Sequence, residues 1–103
     1  MLENLYAEIK SRKTSPKEGS YTTYLFDQGL DKILKKVGEE ATEVVIAAKN
    51  EKAELISETA DLTYHLLVLL VESGVTLSEI EEKLTERVGR ISKTSDRKEI
   101  RDL

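Results

Sequence analysis

Apolar positions recur with helical spacing almost from the first residue of this chain. Leu2, Leu5, Tyr6 and Ile9 fall three or four residues apart, which predicts a short amphipathic helix over residues 2 to about 12. Residues 13–20, KTSPKEGS, break the pattern, and Pro16, Gly19 and their polar neighbours supply turn chemistry. Ser20 is placed to cap a short helix through Phe26, which Gly29 would end. Asp31 then reads as the N-cap of a long helix running to about Lys49, with Asn50 as terminator. A second long helix is expected from about Lys52 to Glu72, stopped at Ser73-Gly74. Thr76-x-x-Glu79 has the spacing of a capping box and opens a third helix with a core stripe of Leu77, Ile80, Leu84, Val88 and Ile91. No segment alternates with strand period, and no internal repeat is visible. The residues from about 90 to 103 are charged and weakly patterned, a tail or a short helix. The expected fold class is all-α, a single domain over residues 1–103 built as a helical bundle with its two long helices antiparallel.

The faces of those two helices differ in kind. At roughly 100° per residue, Glu39, Glu40 and Glu43 share an arc about 100° wide. Ile33, Leu34, Val37, Ala41, Val44, Val45 and Ala48 fill the opposite side, yet Ile46 and Ala47 flank the acids. On the next helix Glu54, Glu58, Asp61 and His65 form a thin polar stripe on an otherwise apolar cylinder. A helix apolar almost all round is a buried helix. In a chain of 103 residues, burying both so fully calls for a second subunit, and a homodimer is expected.

Composition narrows the classes. One Pro, five Gly and 39% hydrophobic residues suit a folded helical domain. The absence of Cys removes disulfides, zinc thiolates and thiol catalysis. The N-terminal MLENLYAEIKSRK lacks the apolar core of a signal peptide, and the run Leu66 to Val71 is far too short to span a bilayer, so a cytoplasmic protein without membrane contact is expected. A net charge of −4 disfavours nucleic acid as a partner but leaves room for a small phosphorylated substrate.

The candidate chemistry lies in the acids. Glu39-Glu40-x-x-Glu43 and, fifteen residues later, Glu58-x-x-Asp61 each place carboxylates on one helix face. Brought together, they would concentrate more negative charge than a protein interior tolerates unpaired. A divalent cation resolves this, and hard oxygen ligands select Mg²⁺, Mn²⁺ or Ca²⁺. Di-iron carboxylate bundles need two Glu-x-x-His pairs, and this chain has none, which leaves Mg²⁺ or Mn²⁺ and polyphosphate chemistry. Each acidic cluster taken alone also fits a solvated helix face. His65, the lone histidine, reads as a core residue or an orienting partner rather than a ligand. Lys32, Lys35 and Lys36 fit either phosphate binding or simple pairing with the glutamates one turn on. Tyr21 and Tyr24 read as packing aromatics.

The two acidic motifs together resemble the signature of the MazG-like, all-α nucleoside triphosphate pyrophosphohydrolases. The blocks Ser20-Tyr21-Thr22, KKVGEE over 35–40, AAKN over 47–50 and ADLTYHLLVLL over 60–70 are similar to the phosphoribosyl-ATP pyrophosphohydrolase family, across roughly residues 3 to 88. That resemblance implies Mg²⁺-dependent hydrolysis of 1-(5-phosphoribosyl)-ATP to 1-(5-phosphoribosyl)-AMP and pyrophosphate, an early step of histidine biosynthesis, by a homodimer. Nothing before residue 1 matches the cyclohydrolase to which such domains are often fused, so the stand-alone form is expected. Glu40, Glu43, Glu58 and Asp61 would then hold Mg²⁺ (or Mn²⁺) on the triphosphate, and Glu39 would complete the ligands or orient a water. Lys32, Lys35, Lys36 and Lys49 would contact phosphates, and Asn50 sugar or phosphate oxygens. Two other functions fit the same residues: a housekeeping pyrophosphohydrolase of ordinary nucleoside triphosphates, and a non-catalytic helical interaction module.

Overall fold

The computed structural model describes residues 1–90, so the charged segment expected beyond about residue 90, and Ile91 with it, lies outside the described residues. Five helices follow in order: α1 (Leu2–Thr14), α2 (Tyr21–Gln28), α3 (Leu30–Ala47), α4 (Lys52–Glu72) and α5 (Leu77–Thr85). There is no strand among the described residues.

Local chemistry sets most of the boundaries. The Ser20 hydroxyl accepts from the Thr23 main-chain N–H and starts α2. Gly29, at φ 91°, ends α2 and opens α3 in one residue. Asp31 is therefore not the N-cap; it lies inside the first turn, where its charge still meets the positive end of the helix. Ser73 and Gly74 close α4, with Gly74 at φ 72° and the Val75 N–H reaching back to the Leu70 carbonyl at 2.9 Å. Thr76 and Glu79 form both halves of the capping box of α5.

The longest helices, α3 and α4, pack along each other across the short connection Ala48–Glu51, which makes them an antiparallel hairpin. The facing seam of α3 runs Ile33, Val37, Glu40, Val44 and Ala47, and that of α4 runs Leu55, Glu58, Leu62, His65 and Leu69, alternating steps of three and four. Helices α1 and α2 cover one end of this hairpin, and the core there is Ile9, Leu25, Ile33, Leu67, Val68 and Val71. The Tyr6 hydroxyl donates to the Val75 carbonyl at 2.7 Å and ties α1 to the end of α4.

Burial departs from the sequence pattern in two places. On α3, Leu34, Val45 and Ala48 are exposed although they were expected on the core side, whereas Ala47 is buried. The α3 face is rotated so that Glu40 sits on the seam rather than on a polar edge. On α5 the expected core stripe is open: Ile80, Leu84 and Val88 are exposed and only Leu77 packs against the core. Gly74 and the turn after it carry α5 away from the other four helices, so no other described helix covers that stripe.

Candidate metal and nucleotide site

Glu40 lies eight residues before the α3–α4 connection and Glu58 and Asp61 lie seven and ten after it, and the antiparallel hairpin brings the three together. One carboxylate oxygen from each can be found within 4.8 Å of the others. Glu40 and Glu58 are half-buried and Asp61 is exposed, so the cluster is seated in the seam and opens outward. The Glu58 carboxyl is held above the ordinary carboxylate range, first by burial and then by the charges of Asp61, Glu43, Glu40 and Glu54. Glu43 is thus within electrostatic reach of Glu58, although it stands outside the tight trio. Glu39 is exposed and turned toward Lys36.

The amine of Lys36 is the cation set against these acids. It lies 3.3 Å from Glu39 and 3.7 Å from Glu40. Burial alone would lower its affinity for a proton, but the bond to Glu39 and the nearby Tyr21, Glu39 and Glu40 outweigh this and raise it. Lys32 is half-buried one turn earlier; Lys35, Lys49 and Asn50 are exposed, the last two in the connection after α3. None of these four forms an ion pair with an acid of the trio.

His65, 6% exposed, is the one buried polar side chain among the described residues. Its Nδ1 lies 2.8 Å from the main-chain carbonyl of Asp61, and its Nε2 lies 3.2 Å from the Tyr21 hydroxyl. A carbonyl only accepts, so Nδ1 carries the proton, and in the neutral ring Nε2 is left to accept from Tyr21. Both nitrogens are engaged, which suits the orienting role expected for this residue. Beside it the Tyr64 hydroxyl pairs with Thr22, and burial pushes the Tyr64 phenol up. Tyr21 and Tyr24 do pack as aromatics, with ring centroids 5.9 Å apart and planes 23° from parallel, yet they stay 46% and 43% exposed. The link from Tyr21 to His65 joins residues 44 positions apart, and no local pattern announces it.

Comparison with known proteins bears on the same residues. The family model for phosphoribosyl-ATP pyrophosphohydrolase matches residues 2–88. Over 103 residues, all of both chains, the sequence is 71% identical to a phosphoribosyl-ATP pyrophosphatase of Listeria innocua serovar 6a. It is 66% identical over 101 residues, 97% of each chain, to one of Streptococcus sanguinis. The matched span contains α1 to α5, the acidic trio, Lys36 and the His65–Tyr21 pair, and the chain belongs to the phosphoribosyl-ATP pyrophosphohydrolase family.

Proposed function

We propose that this chain hydrolyses 1-(5-phosphoribosyl)-ATP to 1-(5-phosphoribosyl)-AMP and pyrophosphate in histidine biosynthesis, with Mg²⁺ as cofactor and as a homodimer. The observation that carries the reading is the convergence of Glu40, Glu58 and Asp61 in a chain similar over its whole length to phosphoribosyl-ATP pyrophosphatases. The donor set fits the cation: the contacts are hard carboxylate oxygens, their mutual repulsion is visible at Glu58, and Lys36 offsets it only on the Glu40 side. Glu40, Glu58 and Asp61 would hold Mg²⁺ or Mn²⁺, with Glu43 joining on a small side-chain movement. Bound there, the ion supplies charge neutralisation for a departing pyrophosphate.

The chain's own groups do the rest. Lys36, already poised against Glu39 and Glu40, would exchange part of that pairing for a phosphate oxygen. Lys32 and Lys35 on α3, with Lys49 and Asn50 at its end, would contact further phosphate and sugar oxygens. Glu39, exposed and outside the trio, would complete the ligands or take a proton from an attacking water. Dimerisation is supported by apolar side chains left in solvent on the hairpin, including Val45 at 70% and Ile56 at 61% exposure.

Mg²⁺-dependent pyrophosphate release should be measured on phosphoribosyl-ATP, dUTP, dCTP and ATP. The expected outcome is release from phosphoribosyl-ATP well above the others, falling by roughly a hundredfold or more in Glu43→Gln and Asp61→Asn while the helical signal persists. Preference for dUTP or dCTP would support a housekeeping pyrophosphohydrolase, and no release from any of the four a non-catalytic module. Near-normal turnover in both variants would remove the acids from the site.

A further inference from the structure

A groove of about 540 Å³ runs along the outer side of α2 and the loop before it, walled by Tyr21 and Tyr24 and flanked by the charges of Lys17, Glu18 and Asp27. Its aromatic wall is held in place. The Tyr21 ring is fixed at its hydroxyl by His65 and stacks over Tyr64 at 6.3 Å, and Tyr24 stacks on Tyr21 in turn. Neither Lys17 nor Asp27 forms an ion pair with another described residue. Tyr21 also joins the groove to the acids: its hydroxyl contacts His65, one helix turn beyond Asp61.

We propose that this groove is the subsite for the phosphoribosylated purine of the substrate, and that it selects that base over unmodified adenine. The assignment rests on the activity proposed above. Substitution at N1 turns the adenine ring into an amidine that binds a proton near neutral pH, so the base of the substrate is cationic where that of ATP is neutral. An electron-rich phenol face attracts such a ring beyond ordinary stacking. Asp27 adds the opposite charge at one edge of the groove, and Lys17 offers a cation to the phosphate that only the phosphoribosyl group brings. The aromatic face and the acids of the groove suit the cationic ring, and Lys17 suits the added phosphate, the two features that distinguish this substrate from ATP.

Steady-state KM for phosphoribosyl-ATP and Ki for ATP as competitor test this, measured for the full chain and for Tyr24→Leu, Tyr24→Trp and Asp27→Asn, with light scattering on each. Tyr24→Leu should raise KM about tenfold with kcat within about twofold, and Tyr24→Trp should restore it. Asp27→Asn should raise KM for phosphoribosyl-ATP and leave Ki for ATP unchanged. Normal wild-type turnover with unchanged KM in both Tyr24→Leu and Asp27→Asn overturns the groove assignment alone. So does an unchanged KM accompanied by altered self-association, which would make the tyrosines a subunit contact. Absence of wild-type turnover overturns the activity and the groove with it.

Discussion

Glu58 carries a charge that its surroundings oppose. It is half-buried in the α3–α4 seam and faces Asp61, Glu43, Glu40 and Glu54, so its carboxyl titrates above the ordinary range. An acid with a raised value in the fold binds more protons folded than unfolded across that interval. The stability it contributes is present at lower pH and is lost as pH rises through the folded-state value. Metal-free protein should therefore melt at a lower temperature as the pH climbs through the range in which Glu58 ionises. Glu58→Gln should raise the melting temperature of the metal-free chain at neutral pH, and saturating Mg²⁺ should cancel or reverse the advantage by stabilising only the parent. A calorimetric comparison of the two with and without Mg²⁺ decides it; a variant less stable than the parent in the absence of metal would show that Glu58 is not under repulsion.

Among the elements, the punctuation of the helices was the most legible part. Ser20, Gly29, Gly74 and the Thr76–Glu79 pair act within a few residues of where they stand in the chain, so spacing alone locates them. Thr76→Ala should cost about 1 kcal/mol by removing the cap of α5, and Gly74→Ala a similar amount because an L side chain is strained at φ 72°. In a domain of this size each would lower the melting temperature by about 4–8 °C, measurable by circular dichroism. The acidic motifs were legible too, since carboxylates three and four apart must share a face. Which of them meet was not. Glu40 enters the trio and Glu39 does not because α3 is rotated to put Glu40 on the seam between Val37 and Val44. A heptad reading of Ile33, Val37, Glu40, Val44 and Ala47 carries that signal; an amphipathic reading of the same helix misses it. The Tyr21–His65 bond depends on how α2 lies across α4, a tertiary fact without a local correlate.

At the scale of the molecule, apolar surface is left that the other described residues do not cover. Val45, Ile46 and Ile56 stand on the hairpin, and Ile80, Leu84 and Val88 follow along and beyond α5. A shallow apolar groove of about 460 Å³ between α1 and α4, lined by Leu2, Leu5, Leu55 and Ile56, continues the first of these patches. If a second copy covers them, Val45→Asp with Ile56→Asp should shift the chain from dimer to monomer at micromolar concentration while the helices persist. Light scattering with circular dichroism checks this, and a parent chain that is already a fully helical monomer would refute it. No single described helix is long and apolar enough to cross a membrane.

The hairpin closed by Ala48–Glu51 also has a consequence for how the molecule divides its labour. Glu40, Glu58 and Asp61 are carried by one continuous stretch that needs only a chain reversal to assemble, so little loop-closure entropy opposes it. The tyrosine-walled groove belongs to a different stretch, the loop before α2 and α2 itself. The charged centre and the base-facing wall are thus separable modules along the backbone. Substitutions at Lys17, Tyr24 and Asp27, which lie outside the shared core, can retune which nucleotide is held while the acid layer keeps its geometry.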